Sequence, residues 1–140
     1  MKHCPRLLFA FFGFLLLPAW ASCAEQVVCH YTYAGETKQL VARPVASPYS
    51  VKGIPVGSFF QFRVVFQNKP ADLASIKIYT YASRDESPVL IHQAIYAYPA
   101  ARQRATSYGF SGLHAVFEPT LDGEMQYWCE LEKTSRGAAR

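Results

Sequence analysis

The stretch SFFQFRVVFQ, Ser58 to Gln67, sets Phe60, Phe62, Val64 and Phe66 on one side of an extended chain. Phe59, Gln61, Arg63 and Val65 fall on the other. Side chains of a strand alternate between faces, so this spacing reads as a β-strand with one wholly apolar face. Outward from it the same period recurs. Upstream, Glu25–Ala34 places Val27, Cys29, Tyr31 and Tyr33 together, opposite Val28, His30 and Thr32. Gly35-Glu36 reads as a turn and Thr37–Arg43 as a second strand. Between 44 and 57 stand three prolines and two glycines, the composition of a long loop or an irregular edge segment.

Downstream, Asn68-Lys69-Pro70 turns the chain into a strand over Leu73–Ala82 with Ile76 and Ile78 inward. A charged turn, Ser83–Pro88, leads to Val89–Tyr98, which is apolar on both sides and so predicts a central or covered strand. A basic loop, Pro99–Thr106, precedes Tyr108–Phe117, whose glycines mark a bulge or bend. Pro119–Gly123 turns, and Glu124–Glu132 is the last strand. About seven strands with regular turn signals and no amphipathic helix predict an all-β, single-domain sandwich, with a small closed β-barrel as the alternative. The domain is expected over 25–133, followed by a disordered tail at 134–140.

The first residues, MKHCPRLLFAFFGFLLLPAWASCAEQ, have a different character. Lys2 and Arg6 form a positive region, Leu7–Leu17 an apolar one broken by Pro18, and small residues follow at Ala19, Ala21, Ser22 and Ala24. This is the layout of a secretory signal peptide, expected over 1–24, and about eleven apolar residues are too few for a stable membrane span. Its removal takes away Lys2 and Arg6 and lowers the formal net charge from +4 by two. Trp20-Ala21-Ser22-Cys23 resembles a bacterial lipoprotein signal, which implies lipidation of Cys23. The family's aliphatic residue three places before the cysteine is here Trp20. The expected location is the periplasm or the extracellular space, with or without that lipid anchor.

Cys29 shares a face with Val27, Tyr31 and Tyr33, and Cys129 with Tyr127 and Leu131. Two inward cysteines in an exported domain predict a disulfide tying the first strand to the last. Seven strands alternating in direction leave those two running the same way, which permits an edge pairing or a bridge between sheets. The segment Asp122-Gly123 to Tyr127-Trp128-Cys129 resembles the tyrosine-corner strand of the immunoglobulin superfamily, over about eight residues. The resemblance implies an immunoglobulin-like architecture. The chain departs from that family in lacking a tryptophan after Cys29, in the wide spacing of its cysteines, and in having no strand after Cys129.

Charges are scattered singly, and the clusters Arg102-Gln103-Arg104 and Lys133, Arg136, Arg140 are too sparse for a nucleic-acid surface. His30, His92 and His114 fall on three different strands without ligand spacing, so no metal or other cofactor is expected; copper through these histidines is the alternative. Gly109-Phe110-Ser111-Gly112 lacks the second glycine of a nucleophile elbow, because Leu113 stands there. Alternation turns Trp128 outward from Cys129, and Tyr79 and Tyr81 away from Ile76 and Ile78. Outward aromatics with a polar tip suit a binding face. The expectation is therefore a non-enzymatic binding or accessory module whose partner is another exported protein or an envelope component. A metal-binding protein and a small secreted hydrolase, or an inhibitor of one, are the alternatives.

Overall fold

β1 (Ala24–Tyr33) and β2 (Glu36–Ala42) form a hairpin whose two-residue turn is Ala34-Gly35. Both residues have positive φ, 50° and 79°, as the mirror-image turn favoured in hairpins requires. The turn thus lies one residue earlier than the Gly35-Glu36 position read from composition. The computed structural model describes residues 24–100 and 107–134. The predicted signal segment up to Cys23, the basic pair Arg102 and Arg104, and the tail from residue 135 lie outside the described residues.

After the hairpin the chain crosses to a second sheet. There β3 (Ile54–Val56), β4 (Phe60–Gln67), β5 (Ser75–Ala82) and β6 (Val89–Ala97) follow one another as an antiparallel meander. It then returns through β7 (His114–Glu118) and β8 (Gly123–Thr134). The sheets have the orders β2-β1-β8-β7 and β3-β4-β5-β6. The chain is therefore an all-β sandwich of two four-stranded antiparallel sheets, and no closed barrel forms. Phe60, Phe62, Phe66, Ile76 and Ile78 of one sheet meet Val27, Met125 and Tyr127 of the other in a fully buried core. Phe62 lies between the Tyr31 and Tyr127 rings, with centroids at 5.7 and 5.1 Å. The apolar face read from Phe60 to Phe66 is the centre of that core.

Four expectations change. First, the proline-rich segment contributes a short strand, β3, so there are eight strands among the described residues. With an even number, β1 and β8 run antiparallel and pair along their whole length, from Ala24 opposite Thr134 to Tyr33 opposite Met125. Thr134 is thus a strand residue whose hydroxyl donates to the Ala24 carbonyl, although the tail was expected to begin there. Second, Cys29 and Cys129 are joined, S–S 2.03 Å, but as directly opposed residues within one sheet. An immunoglobulin disulfide instead connects two sheets. Third, the apolar strand Val89–Ala97 is not central: β6 is an edge. One extra residue between the pairs Thr80–His92 and Tyr81–Leu90 makes a bulge, which explains why its apolar residues fit neither period cleanly. Fourth, β7 begins only at His114, and the glycine-containing segment before it turns back beside β8. Gly109 pairs with Cys129 so closely that an added Cβ would stand 2.2 Å from the Cys129 carbonyl oxygen. Only glycine fits there.

Candidate functional site

Trp128 points outward as alternation requires, but it does not stand alone. Its ring stacks on His30 of β1, with centroids at 3.9 Å and planes 6° apart, and the Tyr108 ring meets it edge-on at 6.3 Å. His30 is fixed in turn: its Nε2 lies 2.8 Å from Glu130 Oε1 and its Nδ1 3.4 Å from Gln39 Nε2. The half-buried indole is therefore clipped between a strand neighbour and the segment preceding β7.

Tyr79 and Tyr81 also face out, from the other sheet. Their rings lie 6.2 Å apart, and the Arg63 guanidinium sits 5.1 Å from the Tyr79 centroid. Arg63 donates to the carbonyls of Val51 at 2.9 Å and Pro48 at 2.6 Å, and approaches the Tyr81 hydroxyl at 3.5 Å. The proline-rich segment is thereby strapped to this face through one cation, which uses the tyrosines as part of its seat. The aromatic face predicted from the sequence is two separate patches on opposite sheets.

His92 and His114, scattered in sequence, meet. β6 and β7 are the free edges on one side of the sandwich, and their inward histidines approach to 5.3 Å between ring centroids. Tyr127 of β8 lies against both: its hydroxyl is 2.7 Å from His92 Nε2, and its ring stacks on His114 at 4.9 Å. His114 Nε2 is 2.8 Å from the Tyr96 hydroxyl and 3.0 Å from the Ser111 carbonyl. Burial, and then the neighbouring His114, hold the His92 imidazole below its ordinary pKa. Burial also raises the Tyr96 and Tyr127 hydroxyls above theirs. All three shifts favour the neutral forms of His92, Tyr96 and Tyr127, which with His114 make a hydrogen-bonded plug between two sheet edges. The Tyr127 hydroxyl reaches across the sandwich to a side chain, whereas the tyrosine corner of an immunoglobulin strand bonds backbone nearby. His30 takes no part in the cluster: it lies on the outer face of β1, against Trp128.

Two polar groups left without a role by the sequence have structural partners. Ser111 Oγ accepts from the Cys129 amide at 2.7 Å and donates to the Gly112 carbonyl at 2.8 Å, so its hydroxyl is committed to backbone. Glu118, one of the scattered carboxylates, is buried. Arg84 of the β5–β6 turn donates to its Oε1, and the amides of Leu121 and Thr120 donate at 2.6 and 3.1 Å. The Arg84 hydrogen bond, helped by those amides against the opposing effect of burial, holds the Glu118 carboxyl at about 2. A run of alternating residues carries no signal for such a pairing, since Arg84 lies on a different turn.

The remaining surface is uneven. Among the described residues Val89, Leu90 and Ile95 of β6 are 50, 46 and 60% exposed, and Leu113 and Phe117 at β7 are 47 and 53% exposed. Half of the exposed large hydrophobics thus flank the side where β6 and β7 end their sheets. No family model, curated protein or solved structure matches the chain.

Proposed function

We propose that this is an exported, non-enzymatic binding module, periplasmic or secreted, whose contact surface is the open β6–β7 side. The exposed apolar border of that side carries the reading. Scattered exposed hydrophobics are ordinary, but Val89, Leu90, Ile95, Leu113 and Phe117 gather at the two strands that end the sheets on one side, and such a grouping suits a surface that a partner covers. The aromatic patches suit this role less well, because Trp128 and the Tyr79–Tyr81 pair already have partners within the chain. The signal-like N-terminus and the Cys29–Cys129 bridge both suit an oxidising compartment. No helix among the described residues is long and apolar enough to cross a membrane. Lipidation at Cys23 would tether the module without changing the surface it offers.

The rival chemistries have less to work with. A metal bound at His92 and His114 would compete with Tyr127 and Tyr96 for the Nε2 atoms. A serine nucleophile would require freeing Ser111 Oγ from the Cys129 amide. The test is mild crosslinking in the exporting cell followed by capture. Ile95→Lys and Phe117→Lys are each expected to reduce the captured partner by about thirtyfold or more, the loss of one interface anchor. Capture unchanged by both, and lost instead on Trp128→Ala, moves the contact surface to the outer face of β8.

A further inference from the structure

Four strands end the two sheets, and three of them are protected against pairing with another chain. β2 carries Glu36 and Lys38, β3 is three residues long with Pro55 at its centre, and β7 is five residues long. Charge, proline and shortness are the devices by which natural proteins blunt an edge. β6 has none of these: Val-Leu-Ile-His-Gln-Ala-Ile-Tyr-Ala is nine residues without a proline, aspartate, glutamate, lysine or arginine. Its bulge lies near the start, between the pairs Thr80–His92 and Tyr81–Leu90, and leaves His92 to Ala97 regular. No strand among the described residues pairs with its outer side.

We propose that β6 pairs antiparallel with β6 of a second copy, joining two four-stranded sheets into one of eight. This rests on the binding role of the β6–β7 side and names its occupant. The strand's own chemistry argues for a copy of itself. An uncharged strand meets its twin without like-charge repulsion, and a two-fold interface requires a self-complementary surface. Opposed residues must point to the same face. A two-fold axis perpendicular to the sheet therefore places some residue of the regular run opposite itself. With Ile95 there, the most exposed large apolar side chain of β6 meets its equivalent, and Gln93 faces the partner's Ala97. Leu90 flanks the seam on the same outer face. Of the segments beyond the described residues, 101–106 and 135–140 make poor occupants of this edge, since each carries two arginines, and 1–23 is the segment read as a signal peptide.

The exported protein is examined by sedimentation through the micromolar range, alongside Ile95→Lys, Ile95→Cys and, as a control on the opposite edge, Val41→Lys. A dimer is expected for the unchanged protein and for Val41→Lys, and a monomer for Ile95→Lys. Ile95→Cys is expected to form a covalent dimer on mild oxidation, because the two thiols are self-opposed. Sedimentation as a monomer throughout, or a dimer untouched by Ile95→Lys, overturns the proposal. If the protein is monomeric while Ile95→Lys still abolishes capture of another exported protein, self-pairing fails and the binding role of this side stands. If neither assembly nor capture responds, both fall.

Discussion

The middle of the β1–β8 pair and the β6–β7 side are built from similar residues and treated in opposite ways. At the first, inward Cys29 and Cys129 are bonded, and outward Trp128 is covered by His30 and Tyr108. At the second, inward His92, His114 and Tyr127 are joined only by hydrogen bonds and ring contacts. Outward Leu90, Ile95 and Phe117 have water for a neighbour. One side is closed by covalent and aromatic contacts, the other by hydrogen-bonded polar groups and an exposed border. An interior seam can be sealed permanently, whereas the proposed contact side keeps its apolar surface exposed.

The largest break in this contrast is removal of the bridge. It closes a loop of 100 residues, for which chain-entropy reasoning gives about 4–5 kcal/mol. The double substitution Cys29→Ser and Cys129→Ser is expected to cost about 2–5 kcal/mol in urea unfolding, the range for native disulfides of small secreted domains. A loss below that range would mean that the ten-residue β1–β8 register already does the bridge's work.

Next in size is Trp128→Ala. A buried Trp truncation costs about 3–5 kcal/mol. Trp128 lies on the outer face and is not fully buried, so a smaller loss of about 1–2 kcal/mol is expected, mostly its stack on His30 and its apolar contact. His30→Ala should lose part of the same amount, and the double variant less than the sum, if the stack is the shared interaction.

The polar side should reveal itself through pH in two separate windows. The folded His92 binds its proton more weakly than the unfolded one does, whose pKa is near 6.5. The unfolded state therefore takes up protons first as pH falls, and stability decreases from about 6.5 downward. Protonation would also set a cation beside His114. His92→Gln should flatten the thermal-unfolding midpoint between pH 7 and 5; an unchanged slope would assign that limb to other groups. Glu118 acts in a lower window. Its carboxyl is held at about 2 against 4.5 unfolded, so its contribution is complete above 4.5 and lost as pH falls toward 2. Glu118→Gln should remove that acid limb and leave the histidine limb intact.

The smallest effect is expected on the open border. Ile95→Lys exchanges one exposed side chain for another and should change the stability of the monomer by no more than about 0.5 kcal/mol. Its consequence should appear in association alone. A larger loss in a monomeric sample would show that Ile95 supports the fold itself.

Much of this was legible in the residues, and the limit has a consistent cause. Alternation is a property of one strand, so the buried face of β4, the inward cysteines and the outward Trp128 could all be read locally. Which strands lie side by side is set by long connections, and no local pattern encodes it. Val89–Tyr98 therefore read as a central or covered strand although β6 ends a sheet, and the proline-rich segment, read as a long loop or an irregular edge segment, did not disclose the three-residue edge strand that it contains. That strand makes the count even, so β1 and β8 run in opposite directions and the disulfide lies within one sheet. His92 and His114 are neighbours only because the edges of two sheets meet, and Glu118 is buried only because a distant turn brings Arg84 to it. The sequence alone determined the strands, the bridge and the direction each side chain takes from its own strand. Only the tertiary structure decided which of those side chains found a partner, because pairing between strands far apart in the chain depends on their order in the sheets.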